Sequence, residues 1–496
     1  MALTAEQVYV LNTITYLNKP GVVNIPVGTT LKDFATLLQS NKDLVLACTD
    51  GEFLTQTDIL TVCNTILSDS NLCDTRLEYS DNGGNGGDRM IFSTPSESGG
   101  RDANVVFEGT VGSREWYDDA VAGSLSPDGK VLSEVQQETL NWYRGDEVQN
   151  ILAQYDSVTV SGHSKGGNKA KLLTLLCDDI DRCISFDGQG FSDEFISEFD
   201  DEIARNRGKI TNYNNADDYV SILLNDVGAT VHIQGYEVDN FMVSHSLFTL
   251  CRSLPFDDYT VPQNPLLKEM DMVLNGYLRS LSLEDRQQFL ELIGCILRDT
   301  LGKDGTWDDI PDYIKRLFMA RDGELLMGLI GYIGKYGSAE LYLAALELLK
   351  AQFPFLSVWL DPQIAKAEEA VRKLREAGID RYASTGHICM DTVFLACVVS
   401  ELRSICANLE SCAADISACA AKCNDFPITV NINLAISALL TKGGLGFFSG
   451  SPIQVINRLN RAAHQISDSI GELSTSVQKA AQQFDECEEK ILGLMY

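Results

Sequence analysis

Residues 157–170 read SVTVSGHSKGGNKA. A short β-branched run meets Gly162-His163-Ser164-Lys165-Gly166, and a small-residue helical pattern follows at once. One serine between two glycines on a strand-to-helix corner suits a tight, strained turn that leaves no room for side chains against the adjoining strand and helix. Such a turn lifts the Ser164 hydroxyl above the strand end. It also places the backbone N–H of Lys165 where negative charge on a substrate oxygen would develop.

Outward from this corner, strands and helices alternate. Residues 157–161 predict a strand, 167–177 a helix, 183–186 a strand, 193–207 a helix, and 210–213 and 230–234 further strands. Upstream, residues 104–110 (NVVFEGT) form a buried-strand candidate, with helical patterns over 113–122 and 132–152. The glycine-rich GGNGG at 83–87 separates two strand-like runs, and residues 1 to about 70 read as helices over 5–17, 31–39 and 56–67. Alternation of this kind predicts an α/β fold, a mostly parallel sheet with helices on both faces.

Composition narrows the classes of partner. The 496 residues are 45% hydrophobic and 22% charged, as in an ordinary folded protein. A formal net charge of −31 repels phosphate backbones and anionic headgroups, which argues against nucleic acid as a partner. The start, MALTAEQVYVLNTITYLNKP, lacks the basic and apolar regions of a signal peptide. The longest strongly apolar patch, residues 325–334, is too short for a transmembrane segment. Fourteen cysteines include no C-x-x-C pair, so a zinc ribbon is not indicated, and several fall on apolar helical stripes as small hydrophobes.

A serine hydroxyl becomes a nucleophile only when a positioned base takes its proton. The chain has five histidines. His163 precedes Ser164 in the turn, so its side chain should point away; His387 and His464 belong to the helical tail; His232 lies within a strand. His245, in FMVSHSLF, follows the last predicted strand, where a loop can return over the corner, and is the best base. A carboxylate must then hold the imidazole in the right tautomer. Asp187, Asp217 and Asp218 all end strands, where α/β sites lie, and spacing alone does not separate them. Each is equally suited to starting a helix as an N-cap. This chemistry requires neither a metal nor an organic cofactor.

Three blocks together resemble the lipase class 3 branch of the α/β-hydrolases, and more closely the bacterial lipase-like proteins with a GHSKGG corner. They are VVFEGTVGSREWYDD (105–119), VTVSGHSKGGNKA (158–170) and YNNADDYVSIL (213–223). The resemblance implies a catalytic set of Ser164, His245 and Asp218, with Asp187 and Asp217 as alternative acids. It puts Thr110 beside Lys165 in the oxyanion hole, with Gly162 and Gly166 as the turn glycines. Two departures from the family pattern bear on substrate detail: a glutamate, Glu108, replaces the usual arginine, and the proline that follows the acid is missing. The implied substrates are lipid or other carboxylic esters.

Beyond about residue 255 the strands stop, and helical periods cover 283–301, 310–319 and 339–349. In the last 120 residues apolar positions step by fours and threes from Phe394 to Cys423 and from Leu459 to Ile491, predicting two long helices folded back on each other. The expected organisation is therefore a hydrolase-like domain over 1–255, a helical extension over 256–375 that covers the site or supplies an acyl pocket, and a long helical hairpin over 376–496. That hairpin resembles the LXG targeting domains of type VII secretion substrates, in reversed order. The resemblance implies export without a signal peptide, small helical partner proteins on the hairpin, an antibacterial toxin role and an immunity protein. The alternatives are a cytoplasmic esterase or thioesterase with an oligomerising tail, and a non-catalytic binding protein on a hydrolase fold.

Overall fold

The computed structural model describes residues 3–18, 22–49, 53–81, 89–96, 98–126, 129–236, 241–303, 323–352 and 357–376. The chain divides into two units, residues 1–315 with 324–332, and 316–323 with 333–496.

The first unit opens with helices α1 (Ala5–Leu17), α2 (Leu31–Ser40), α3 (Lys42–Cys48), α4 (Gln56–Ser68) and the single turn α5 (Ser70–Cys73). Threonines start three of them: Thr4, Thr30 and Thr55 each accept a backbone N–H of the first turn through the side chain. Seven strands follow in one sheet, laid side by side in chain order. They are β1 (Arg76–Asp81), β2 (Arg89–Pro95), β3 (Arg101–Phe107), β4 (Val158–His163), β5 (Arg182–Phe186), β6 (Ile210–Asn215) and β7 (Ala229–Ile233). The β1–β2 and β2–β3 pairs are antiparallel; every pair from β3 to β7 is parallel. The sheet is thus α/β and mostly parallel, as the alternation predicts.

Period-two alternation sends side chains into two cores, one on each face. Met90, Phe92, Val106, Ile184 and Phe186 pack with α1, α2 and α4. Their neighbours Ile91, Val105, Phe107 and Cys183 pack with the helices that connect the parallel strands. Helix α6 (Gly112–Val121) opens the β3–β4 connection, and the helices of this second core are α7 (Glu134–Tyr143), α8 (Asp146–Leu152), α9 (Lys165–Leu176), α10 (Asp193–Glu198) and α11 (Asp200–Asn206). The single helix expected over 132–152 is broken at Gly145, and that expected over 193–207 is broken at Phe199 (φ −112°, ψ 29°). The strand expected over 104–110 leaves the sheet after Phe107, freeing residues 108–111 to lie over the corner.

Helices α12 (Pro265–Ser280) and α13 (Leu283–Asp299) belong to this first unit, beyond the boundary expected at residue 255. The reason is close packing of α13 on α6: Gly294 lies against Tyr117, where a Cβ would come within 2.8 Å of the Tyr117 carbonyl. The described part of the second unit contains helices Ala339–Gln352 and Ser357–Glu376, tied by a Lys350–Asp361 ion pair of 2.7 Å. Among the described residues no helix is long and apolar enough to cross a membrane. The helix expected over 310–319 and the heptad hairpin over 376–496 lie outside the described residues, apart from residue 376 itself.

Candidate active site

Ser164 sits between β4 and α9 at φ 56°, ψ −123°, a backbone conformation that costs an L-residue energy. The glycines make the corner possible. A Cβ on Gly162 would fall 2.1 Å from the Gly166 carbonyl carbon, and one on Gly166 would fall 2.3 Å from the Phe107 oxygen. No side chain fits at either position.

His245 lies in a 3-10 turn (Phe241–His245) after β7 and reaches back over the corner. Its Nε2 is 2.8 Å from Ser164 Oγ and its Nδ1 is 2.6 Å from Asp218 Oδ1. Asp218 follows β6 and is buried; its second oxygen accepts the Ser221 N–H at 2.6 Å. Burial alone would raise the Asp218 carboxyl, but His245 and Ser221 outweigh it and hold it below the usual carboxylate range.

The two alternative acids have other hydrogen-bond partners than His245. Asp217 Oδ1 accepts from Asn264 at the start of α12 (2.7 Å). Asp187 is wholly buried at the end of β5 with φ 48°, and its Oδ1 accepts the Asn215 N–H at 2.6 Å. Burial, then the nearby charge of Asp218, push Asp187 well above the ordinary carboxylate range. The two carboxyl groups are therefore pushed in opposite directions, Asp218 toward its charged form by the imidazole and Asp187 away from it by burial and by the charge of Asp218. Asn215 links them to the base: its amide nitrogen donates to the Ser244 carbonyl (2.8 Å), one residue before His245, while its Oδ1 accepts the Asp217 N–H (3.1 Å).

The loop after β3 closes the other side. A Cβ on Gly109 would lie 3.4 Å from Ser164 Cβ, so this backbone passes directly over the serine. Thr110 Oγ1 donates to Asp119 Oδ2 at 2.8 Å, and the Val111 N–H donates to Glu115 Oε2 at 2.9 Å. The Lys165 side chain, buried beneath the corner, pairs with Asp118 at 2.6 Å.

One histidine has a place that its sequence position did not reveal. His163 Nε2 contacts the His245 carbonyl at 2.9 Å, and its Nδ1 lies 2.5 Å from the Tyr16 hydroxyl, which also accepts the Gly109 N–H at 3.1 Å. Burial, then His245, lower the His163 imidazole to about 3, so it is neutral near pH 7. A consistent proton arrangement has Nε2–H donating to the carbonyl and Tyr16 O–H donating to Nδ1. Thus α1 anchors both the 109 loop and the His245 turn. His232 lies within β7 and is half-buried, while His387 and His464 lie outside the described residues.

Over residues 135–293, which contain Ser164, Asp218 and His245, the chain is similar to the family described as Mbeg1-like. No curated protein matches it. A solved structure described as the crystal structure of M37 lipase is similar at 15% identity with a TM-score of 0.28, covering 45% of this chain and 70% of that one.

Proposed function

We propose that this chain is a serine carboxylic-ester hydrolase of lipase type. The observation that supports it is the continuous line Ser164 Oγ–His245 Nε2 and His245 Nδ1–Asp218 Oδ1, at 2.8 and 2.6 Å, above the carboxyl ends of the parallel strands. In this reading Ser164 Oγ attacks the ester carbonyl carbon while His245 Nε2 takes its proton. The carbonyl π electrons move onto oxygen, which the N–H groups of Thr110 and Lys165 hold, at ~3 kcal/mol per donor. Asp218 stabilises the imidazolium. His245 then gives the proton to the departing alkoxide, leaving an acyl-serine, and the same cycle with water releases the acid.

Lipid esters and phospholipids are the substrate class implied by the sequence resemblance, and the exposed Val111, the last residue of the loop over the serine, offers an apolar margin for an acyl chain. Export and a toxin role rest on the heptad seams of the tail and its LXG-like pattern. The deciding experiment is hydrolysis of p-nitrophenyl esters of rising acyl length, and of phospholipid vesicles, by the full chain beside Ser164→Ala. Turnover that rises with acyl length and vanishes in the variant supports the reading. Equal inertness of both proteins on every substrate sinks it.

A further inference from the structure

Two lysines one turn apart on α9, Lys165 and Lys169, are each only 1% exposed. Their partners are carboxylates of α6. Lys165 Nζ lies 2.6 Å from Asp118 and 3.6 Å from Asp119, and Lys169 pairs with Glu115, itself fully buried. The second oxygens of two of these acids continue to the loop over the serine: Asp119 to the Thr110 hydroxyl, Glu115 to the Val111 N–H. Two parallel chains of contacts therefore run from α9 through α6 to residues 110–111. Buried ion pairs contribute little net stability compared with apolar packing. What these supply is a fixed distance between the helix that carries the Lys165 N–H and the loop that carries the Thr110 N–H.

We propose that Lys165 and Lys169, acting through Asp119 and Glu115, are positioning residues that set the separation of the two oxyanion donors. The proposal rests on the hydrolase reading. A third buried lysine of the same helix is the internal control: Lys171 pairs with Asp226 at 2.6 Å and with the Gly188 carbonyl at 3.1 Å, away from the loop.

The test uses the full chain and p-nitrophenyl butyrate, with hydrogen exchange of the Val111 amide as a readout independent of turnover. Lys169→Met and the isosteric Asp119→Asn should each lower kcat about a hundredfold with KM little changed. Lys169→Met should also speed Val111 exchange at least about tenfold, since its anchoring acid is released. Lys171→Met should lose comparable stability yet keep kcat within about twofold and leave Val111 protected. The double variant Glu115→Leu with Lys169→Met should regain melting temperature but not kcat, because apolar packing replaces the charge pair without replacing its hold on the loop. Recovery of kcat together with stability, or unchanged Val111 exchange in Lys169→Met, would overturn the positioning role. If the wild type neither hydrolyses esters nor reacts with a fluorophosphonate at Ser164, the hydrolase reading fails, while the exchange comparison still decides whether the lysines hold the loop.

Discussion

Ser164 occupies its strained backbone because only that turn projects Oγ at His245 Nε2. The strain has a measurable consequence. Ser164→Gly, which relaxes φ 56°, should be more stable than Ser164→Ala by about 1 kcal/mol, although both lack the hydroxyl. Urea denaturation of the two variants gives the difference; equal stabilities would mean the corner is not strained. The paired acids separate by charge in the same way. Asp218→Asn should lower kcat by about 10³–10⁴, since the imidazole then loses its orienting charge. Asp187→Asn should keep kcat within about threefold, because burial and the charge of Asp218 disfavour the charged form of Asp187 and an amide reproduces its shape. Steady-state kinetics on one soluble ester decides between them, and a larger loss in Asp187→Asn would exchange their roles.

At the scale of elements, the corner was legible because its cause is local: both glycines are dictated by backbones within a few residues or on the adjacent strand. The parallel strands were legible from their apolar runs, with ends displaced by a few residues. The acid was not legible from spacing, because Asp187, Asp217 and Asp218 all end strands and only the fold of the 216–228 connection turns Asp218 toward His245. Tyr16 left no signal at all, since its contact with His163 spans 147 residues. The buried lysines did leave one: positions 165 and 169 share a helical face that must be buried, and acids recur at similar spacing in SREWYDD. Helix α1 accordingly has a part in the site. Tyr16→Phe orphans the Gly109 N–H and His163 Nδ1, so it should cost about 2 kcal/mol of stability. It should also lower kcat roughly tenfold by loosening the loop and the His245 turn together. Denaturation and ester kinetics on the same preparation test both, and a stability loss with unchanged kcat would confine α1 to scaffolding.

For the whole molecule, two groups of opposite behaviour, a partly buried acid and a buried imidazole, shape the dependence of stability on pH. Asp119 is pushed up to about 6 by burial, which Lys165 and the Thr110 hydroxyl only partly offset. An acid raised on folding contributes stability that is present below its unfolded value near 3.8 and lost as pH rises through about 6, a swing of about 3 kcal/mol. His163 does the reverse. Lowered from 6.5 to about 3, it contributes stability present above pH 6.5 and lost as pH falls, up to about 5 kcal/mol by pH 3. Between about pH 4 and 6 the two slopes oppose each other. Asp119→Asn removes one of them, so its urea midpoint should fall more steeply than the wild type's from about pH 6.5 to about pH 4.5. His163→Gln removes the other, so its midpoint should rise on acidification relative to the wild type. Other groups, Asp187 among them, are common to all three proteins and cancel in the differences. Offsets that do not change with pH report the lost contacts alone, and parallel profiles for wild type and Asp119→Asn would show that the carboxyl beneath the Thr110 loop titrates as an ordinary aspartate.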